Sequence, residues 1–211
     1  MIFPTYKFEK EKIKQGFNLI AGCDEAGIGP LAGPVVAAVV IWDPEFILKN
    51  LGKNKWMDRI RDSKKIKELE REDLAKFIKE NVLDYSLFAV AHETVDRINI
   101  LNAAHLAMAN AVKKLQTKPE FIFIDGAHRV KQIQIEQEAV VKGDSKILSV
   151  AAASILAKVA RDKIMRKFHL IYPQYNFVKH KGYPTREHRM LIKKFGPCPI
   201  HRKSFRLVRN A

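Results

Sequence analysis

Cysteine is scarce in this chain. Cys23 and Cys198 are the two in 211 residues, and their spacing suits neither a disulfide framework nor a zinc site. A reduced, cytoplasmic setting is the expectation, with Cys23 a small core residue and Cys198 a loop thiol. Long apolar runs are missing as well. The longest, residues 31–42, contains Gly33 and Pro34 and falls short of the ~20 residues a membrane helix needs, so no membrane partner is expected. The opening Met1-Ile-Phe-Pro-Thr-Tyr-Lys-Phe-Glu-Lys-Glu-Lys12 lacks the apolar core of a signal peptide. Neither an internal repeat nor a low-complexity tract is found. Acid is in short supply: 23 Asp and Glu stand against 38 Lys and Arg, for a formal net charge of +15 and a pI near 9.8. Such an excess favours polyanion partners, nucleic acid first and anionic membrane second. At 47% hydrophobic the chain can bury a sizeable core, which excludes global disorder.

The stretch at residues 19–42 organises the rest. It reads as an apolar strand, the pair Asp24-Glu25, a turn rich in glycine (Gly27, Gly29, Gly33) and a second apolar strand. We expect strands at 17–23 and 34–42, the latter apolar on both faces and so central. Neighbours on a regular strand point to opposite faces, so Asp24 shares a face with Gly22 and Ile20 while Glu25 points away. Both can serve one site if the strand ends or distorts at Glu25, and that distortion is expected. Residues 5–15 suit a short amphipathic helix, and 43–58 reads as loop with at most a helical turn. A helix should follow Asp62 or Ser63 as N-cap, a third strand spans 83–91, and 98–115 carries a helical stripe of Leu101, Ala104, Met108, Val112 and Leu115. Residues 121–124 form a short strand stopping at Asp125. Ile133 and Ile135 alternate with Gln132 and Gln134 as an edge strand. A long helix over 146–167 has Ser154, Lys158, Arg161 and Met165 along its polar side. Beyond Phe168 the chain turns basic and is punctuated by proline. These orders predict an α/β domain over residues 1–168, with a basic helical segment over 169–211 packed on the same core.

Three apolar strands therefore end in acid: at Asp24-Glu25, Asp125 and Asp144. A single Asp is ordinarily a turn or cap residue, and Asp144 could simply cap the helix after it. Taken together, four carboxylates converging where strands end would repel unless cations sit between them. Oxygen-only ligands suit a hard ion, Mg²⁺ or Mn²⁺. Acids with divalent ions beside a basic surface suit two-metal phosphodiester hydrolysis. His180, His188 and His201 match no zinc spacing, and each reads as a phosphate-facing or satisfied surface histidine. No serine has an acid–base pair near it in sequence.

At this point the residues resemble ribonuclease HII, the type 2 ribonuclease H family. The motifs that carry the likeness are Ala21-Gly-Cys-Asp-Glu-Ala-Gly-Ile-Gly-Pro-Leu-Ala-Gly-Pro34, Asp62-Ser-Lys-Lys65, Ile124-Asp-Gly126, Lys142-Gly-Asp144, Ala151-Ala-Ala-Ser-Ile-Leu-Ala-Lys158, His180-Lys-Gly-Tyr183 and Gly196-Pro-Cys-Pro-Ile-His-Arg202. The resemblance implies an RNase H-like mixed five-stranded sheet flanked by helices, with a C-terminal helical appendage. It implies endonucleolytic cleavage of the RNA strand of RNA–DNA hybrids, and of ribonucleotides embedded in DNA, leaving 5′-phosphate and 3′-hydroxyl ends. It implies Asp24, Glu25, Asp125 and Asp144 as metal-binding catalytic acids in a monomer. Substrate-binding roles carry over to the Gly27-Ile28-Gly29 turn, whose backbone would read the 2′-hydroxyl, and to Ser154. They carry over also to Tyr183, stacking at an RNA-to-DNA junction, and to Lys64, Lys158 and Lys181 on phosphates. The pattern breaks at Ile28, where the family usually has arginine, so weaker preference for a lone ribonucleotide is expected. Two alternatives stay open: a non-catalytic nucleic-acid-binding module, and a type 3 ribonuclease H, against which Asp144 as fourth acid speaks.

Overall fold

The computed structural model describes residues 4–50 and 52–209. Near-continuous burial of its three inner strands marks a mixed five-stranded sheet covered on both faces: β1 Ile20–Ala26, β2 Val35–Ile41, β3 Asp84–Val90, β4 Phe121–Asp125 and β5 Glu136–Val140. Its order is β3-β2-β1-β4-β5. β1 and β3 run antiparallel to β2, whereas β1, β4 and β5 are mutually parallel neighbours. Strand β2, Val-Val-Ala-Ala-Val-Val-Ile, is buried along its whole length, as its all-apolar sequence requires of a strand covered on both faces.

Helices α1 Lys7–Lys14, α2 Pro44–Asn50, α3 Glu68–Asn81, α4 His92–Ile98, α5 Ile100–Lys114 and α6 Leu148–Ile171 surround the sheet. On one face Leu148, Ala151, Ala152 and Ile155 of α6 meet Ala38 and Val40, with Leu74 and Ile78 of α3 beyond. On the other, Ala104, Ala107, Met108 and Ala111 of α5 cover Ala21, Cys23, Val39 and Ile122. Gly22 sets the depth of α6: a Cβ there would lie 2.2 Å from the Ser149 carbonyl carbon, so any side chain would push the helix off the strand. The last stretch folds as α7 Phe177–His180, α8 Arg186–Phe195 and α9 Arg206–Arg209. Its apolar cluster of Tyr175, Phe177, Ile192 and Ile200 is completed by Leu31, Ala32 and Met165 from the body. The two parts thus share a core.

Several boundaries differ from the sequence expectation. β1 lies three residues later than 17–23, and its pairing with β2 stays in register through Glu25↔Ala37 and Ala26↔Val36. The break falls at Gly27, with φ +115°, because a Cβ-free residue accepts the reversal that Glu25 would resist. Residues 132–135 form no strand; the edge is the polar Glu136–Val140, whose pairing to β4 rather than any apolar alternation selects it. A seven-residue helix, α2, occupies the expected loop at 43–58. The stripe at 98–115 holds α5 alone, with α4 separated from it by Asn99 at φ 64°.

Candidate active site

The parallel strands β1 and β4 pair from Ile20↔Phe121 to Cys23↔Ile124 and then part. Beyond that point β1 keeps only its partner β2, and β4 keeps only β5. A notch opens at the carboxyl ends of both strands, the place where open α/β sheets put their sites. Asp24 and Asp125 stand on its two sides. The third acid arrives from the turn after β5, where Lys142 takes a left-handed conformation (φ 58°) and a 3-10 turn spans Gly143–Ser145. Asp125 itself fixes that turn, its Oδ1 accepting the Gly143 amide at 2.6 Å.

Asp24, Asp125 and Asp144 each bring a carboxylate oxygen to within 4.8 Å of the other two. Asp24 and Asp144 are buried. Burial first, then the charges of Glu25 and Asp125, lift the Asp24 carboxyl well above the usual range, against a hydrogen bond from Ser154. Burial and Asp125 raise Glu25 to about 7. Asp144 is raised by burial and by Asp125. Glu25 is thus electrically part of the group although its oxygen lies outside the triangle of three. Among the described residues the cation paired with these acids is Lys64, with Nζ 4.0 Å from Asp144. One exposed ammonium does not neutralise four acids, so the donor set fits a hard divalent cation.

A cavity of about 200 Å³ adjoins Glu25, lined by residues 25–29 together with Ser63, Lys64, Ser154, Lys158 and Tyr183. All the substrate-binding candidates except Lys181 therefore meet in one place. The Ser63 and Ser154 hydroxyls are 3.0 Å apart, linking the Asp62-Ser63-Lys64 turn to α6. Two of the lysines are engaged within the protein. Lys158 Nζ is 2.7 Å from Asp162 and sits over the Tyr183 ring. Lys181 is buried, donating to the Val178 carbonyl and 3.1 Å from Glu68.

The histidines lie inside the molecule, which corrects the expectation of a surface position. His180, His188 and His201 are buried in a ring stack behind the 180–183 turn. His180 Nε2 meets the Tyr175 carbonyl at 2.7 Å while its Nδ1 accepts the Gly182 amide. His188 Nδ1 donates to the Tyr183 carbonyl, and its Nε2 faces His201 Nε2 at 3.0 Å. Burial pushes His188 and His201 down to about 4, so both are neutral at pH 7. Cys198 lies in the loop after α8, as expected, and is buried there with them, its Sγ 3.1 Å from His201 Nδ1. Sequence reasoning also missed what Arg161 and Arg202 do. Both are fully buried, and both donate to backbone carbonyls of residues 27–34. Composition files them with the surface cations; the signal against that was their placement beside apolar residues in Ser154-Ile-Leu-Ala-Lys-Val-Ala-Arg161 and Pro199-Ile-His-Arg202.

Acids that repel one another persist at a strand end where cations bind them, and on this sheet that defines a nuclease of the ribonuclease H-like class. The sequence profile of the family described as Ribonuclease HII matches residues 21–208. A ribonuclease HII of Caldanaerobacter subterraneus subsp. tengcongensis is 50% identical over 198 residues, 94% of this chain and 78% of that protein. One from Endomicrobium trichonymphae is 48% identical over 210 residues, 100% of this chain and 96% of the relative. Among solved structures, the ribonuclease H2 from Pyrococcus horikoshii OT3 superposes with a TM-score of 0.74 at 29% identity, covering 91% of this chain and 96% of the other. The chain belongs to the ribonuclease HII family.

Proposed function

We propose that this ribonuclease H cleaves the RNA strand of RNA–DNA hybrids, and ribonucleotides embedded in duplex DNA, at the notch between β1 and β4. The observation that carries the reading is the triangle of Asp24, Asp125 and Asp144, with Glu25 beside it. These four would hold the divalent ions, Mg²⁺ or Mn²⁺. A bound ion there supplies Lewis-acid activation of the attacking water and of the scissile phosphate. The chain's own groups do the rest. Ser154 and Lys64 orient the acids and the approaching phosphate; the Gly27-Ile28-Gly29 amides face the ribose 2′-hydroxyl, the group that separates RNA from DNA. Tyr183, held over by Lys158 and Arg161, offers its ring to a sugar or base at the junction. The exposed basic residues Arg186, Arg189, Lys193 and Lys194 of α8 hold the duplex without reading its sequence. The proposal extends to a monomer of the cytoplasm; two free buried cysteines suit a reducing compartment. Among the described residues no helix is long and apolar enough to cross a membrane.

A non-catalytic binder gains nothing from acids placed beside a polyanion, so the enzyme reading is preferred. The test is cleavage mapping with Mg²⁺ or Mn²⁺ on a hybrid and on a duplex with one ribonucleotide. Asp125→Asn should cut turnover by about a thousandfold or more while hybrid affinity survives. Retained turnover in that variant would remove the assignment of the acids.

A further inference from the structure

Arg202 lies behind the turn, wholly buried, and no salt bridge to a carboxylate is found for it among the described residues. Its guanidinium is spent on backbone carbonyls instead. Nη2 donates to Gly27 at 2.7 Å, Nη1 to Ile28 at 3.1 Å and to Pro30 at 2.8 Å, and Nε to Gly33 at 3.0 Å. Arg161 completes the grip through the carbonyls of Ala32 and Pro34.

A trans peptide points the amide of each residue away from the carbonyl before it, and no cis bond occurs here. Each gripped carbonyl therefore turns the following N–H to the opposite side. Behind Pro30, the Leu31 amide reaches the Gly182 carbonyl at 2.8 Å; behind Ala32, the Gly33 amide reaches the Ile200 carbonyl at 2.9 Å. Behind Gly27 and Ile28 come the amides of Ile28 and Gly29. Among the described residues neither has an acceptor in the protein, both residues are exposed, and both line the cavity beside the acids. Burial and the nearby Arg161 charge lower the Arg202 pKa to about 9, so the guanidinium is still cationic at neutral pH.

We infer that Arg202 is the positioning residue for ribose recognition: by gripping the Gly27 and Ile28 carbonyls from behind, it aims the next two amides at the 2′-hydroxyl. This rests on the reading that the turn faces that hydroxyl. The fork geometry matters as well as the charge, because four carbonyls in different directions match the fixed donors of a guanidinium and not the single point of an ammonium.

The experiment is binding in EDTA, so that nothing is cleaved, to a hybrid with an RNA strand and to one whose strand is 2′-fluoro RNA. The fluorine leaves the duplex shape near that of the hybrid but is a poor acceptor. Wild type should favour the RNA strand by about tenfold, the worth of one good hydrogen bond. In Arg202→Lys and Arg202→Gln, compared at a temperature where circular dichroism shows both folded, the ratio should fall close to one with affinity for the 2′-fluoro hybrid unchanged. An unchanged ratio overturns the inference, and so does equal weakening on both hybrids, which is what a merely structural arginine would give. A wild type without preference instead removes the underlying reading of the turn. Should neither variant fold, the wild-type Arg202 Nη–H and the Ile28 and Gly29 amide resonances decide: slowly exchanging Nη–H groups with amides that shift on the RNA hybrid and not on the 2′-fluoro hybrid support the inference, and rapid Nη–H exchange or equal amide shifts on both hybrids overturn it.

Discussion

Position 28 separates what backbone and side chain contribute to one site. The Ile28 carbonyl is held by Arg202, while its side chain is 39% exposed at the rim of the cavity. An arginine at this position would add a charge-assisted hydrogen bond to a phosphate or to one of the acids; isoleucine offers neither. The amides remain, so hydroxyl reading should survive on a long hybrid, where many phosphates supply affinity. On duplex DNA with one ribonucleotide the missing contact weighs more. Ile28→Arg is expected to raise cleavage of the lone ribonucleotide, relative to hybrid, by about fivefold, the value of a partly exposed charged contact. Parallel kinetics of both proteins on both substrates check it. Equal relative rates would show that the side chain at 28 has no part in junction preference.

At the scale of elements, α6 carries most of the placement. It buries Ser154 against Ser63, Arg161 under the turn and Gly22 under its first residues. Ile147 offers its N-terminus no side-chain cap. The cap comes from α1 instead: Glu9, buried, accepts both the Ser149 amide at 3.0 Å and its hydroxyl at 2.8 Å. Acid near a helix N-terminus is favourable, but burial dominates and raises Glu9 to about 7 from 4.5. A carboxyl raised on folding stabilises most below 4.5, and the contribution disappears as pH climbs through about 7. Between those values the folded protein holds a proton that the unfolded chain releases. Glu9→Gln removes this titration, so its melting temperature relative to wild type should rise from pH 4.5 to 7. The corresponding change in stability should be of order a few kcal/mol at most. Thermal denaturation of both proteins across that window tests it; parallel curves would mean that Glu9 is already ionised in the fold. The depressed values of His188 and His201 act in the other sense, stability being lost as pH falls from 6.5 through about 4. The difference between variant and wild type cancels that background.

Across the whole molecule, the net charge of +15 divides into two uses. Arg161 and Arg202 are buried against carbonyls and Lys181 against Glu68, so these cations hold the fold. Arg186, Arg189, Lys193 and Lys194 of α8 are exposed and are available to phosphates. Neutralising phosphates releases counterions, and affinity falls as a power of salt concentration. Four such contacts predict a slope of log K against log salt of about −4, and Lys193→Ala with Lys194→Ala together should bring it to about −2. A titration of hybrid binding between low and moderate salt measures it. A flat dependence would place the duplex elsewhere than beside α8.

Much of this was legible without coordinates. Apolar periodicity marked β2, β3, α5 and α6 to within a few residues, because burial on a strand or helix face leaves a local period in the chain. The acids that follow apolar runs, Asp24, Asp125 and Asp144, were legible for the same reason, although β1 runs on past Asp24 and Asp144 lies in the turn after β5: an acid that stops an apolar run is visible in one dimension. Tertiary structure alone decided the rest. The edge strand Glu136–Val140 has no apolar alternation and exists through its pairing to β4. Glu25 was expected to break β1, yet the ladder runs on to Ala26. Whether an arginine meets phosphate or carbonyl depends on segments more than a hundred residues away, as with Arg202 and Gly27 or Arg161 and Pro34. Local pattern records which groups must be buried or satisfied. Only the folded chain brings the distant partners that satisfy them.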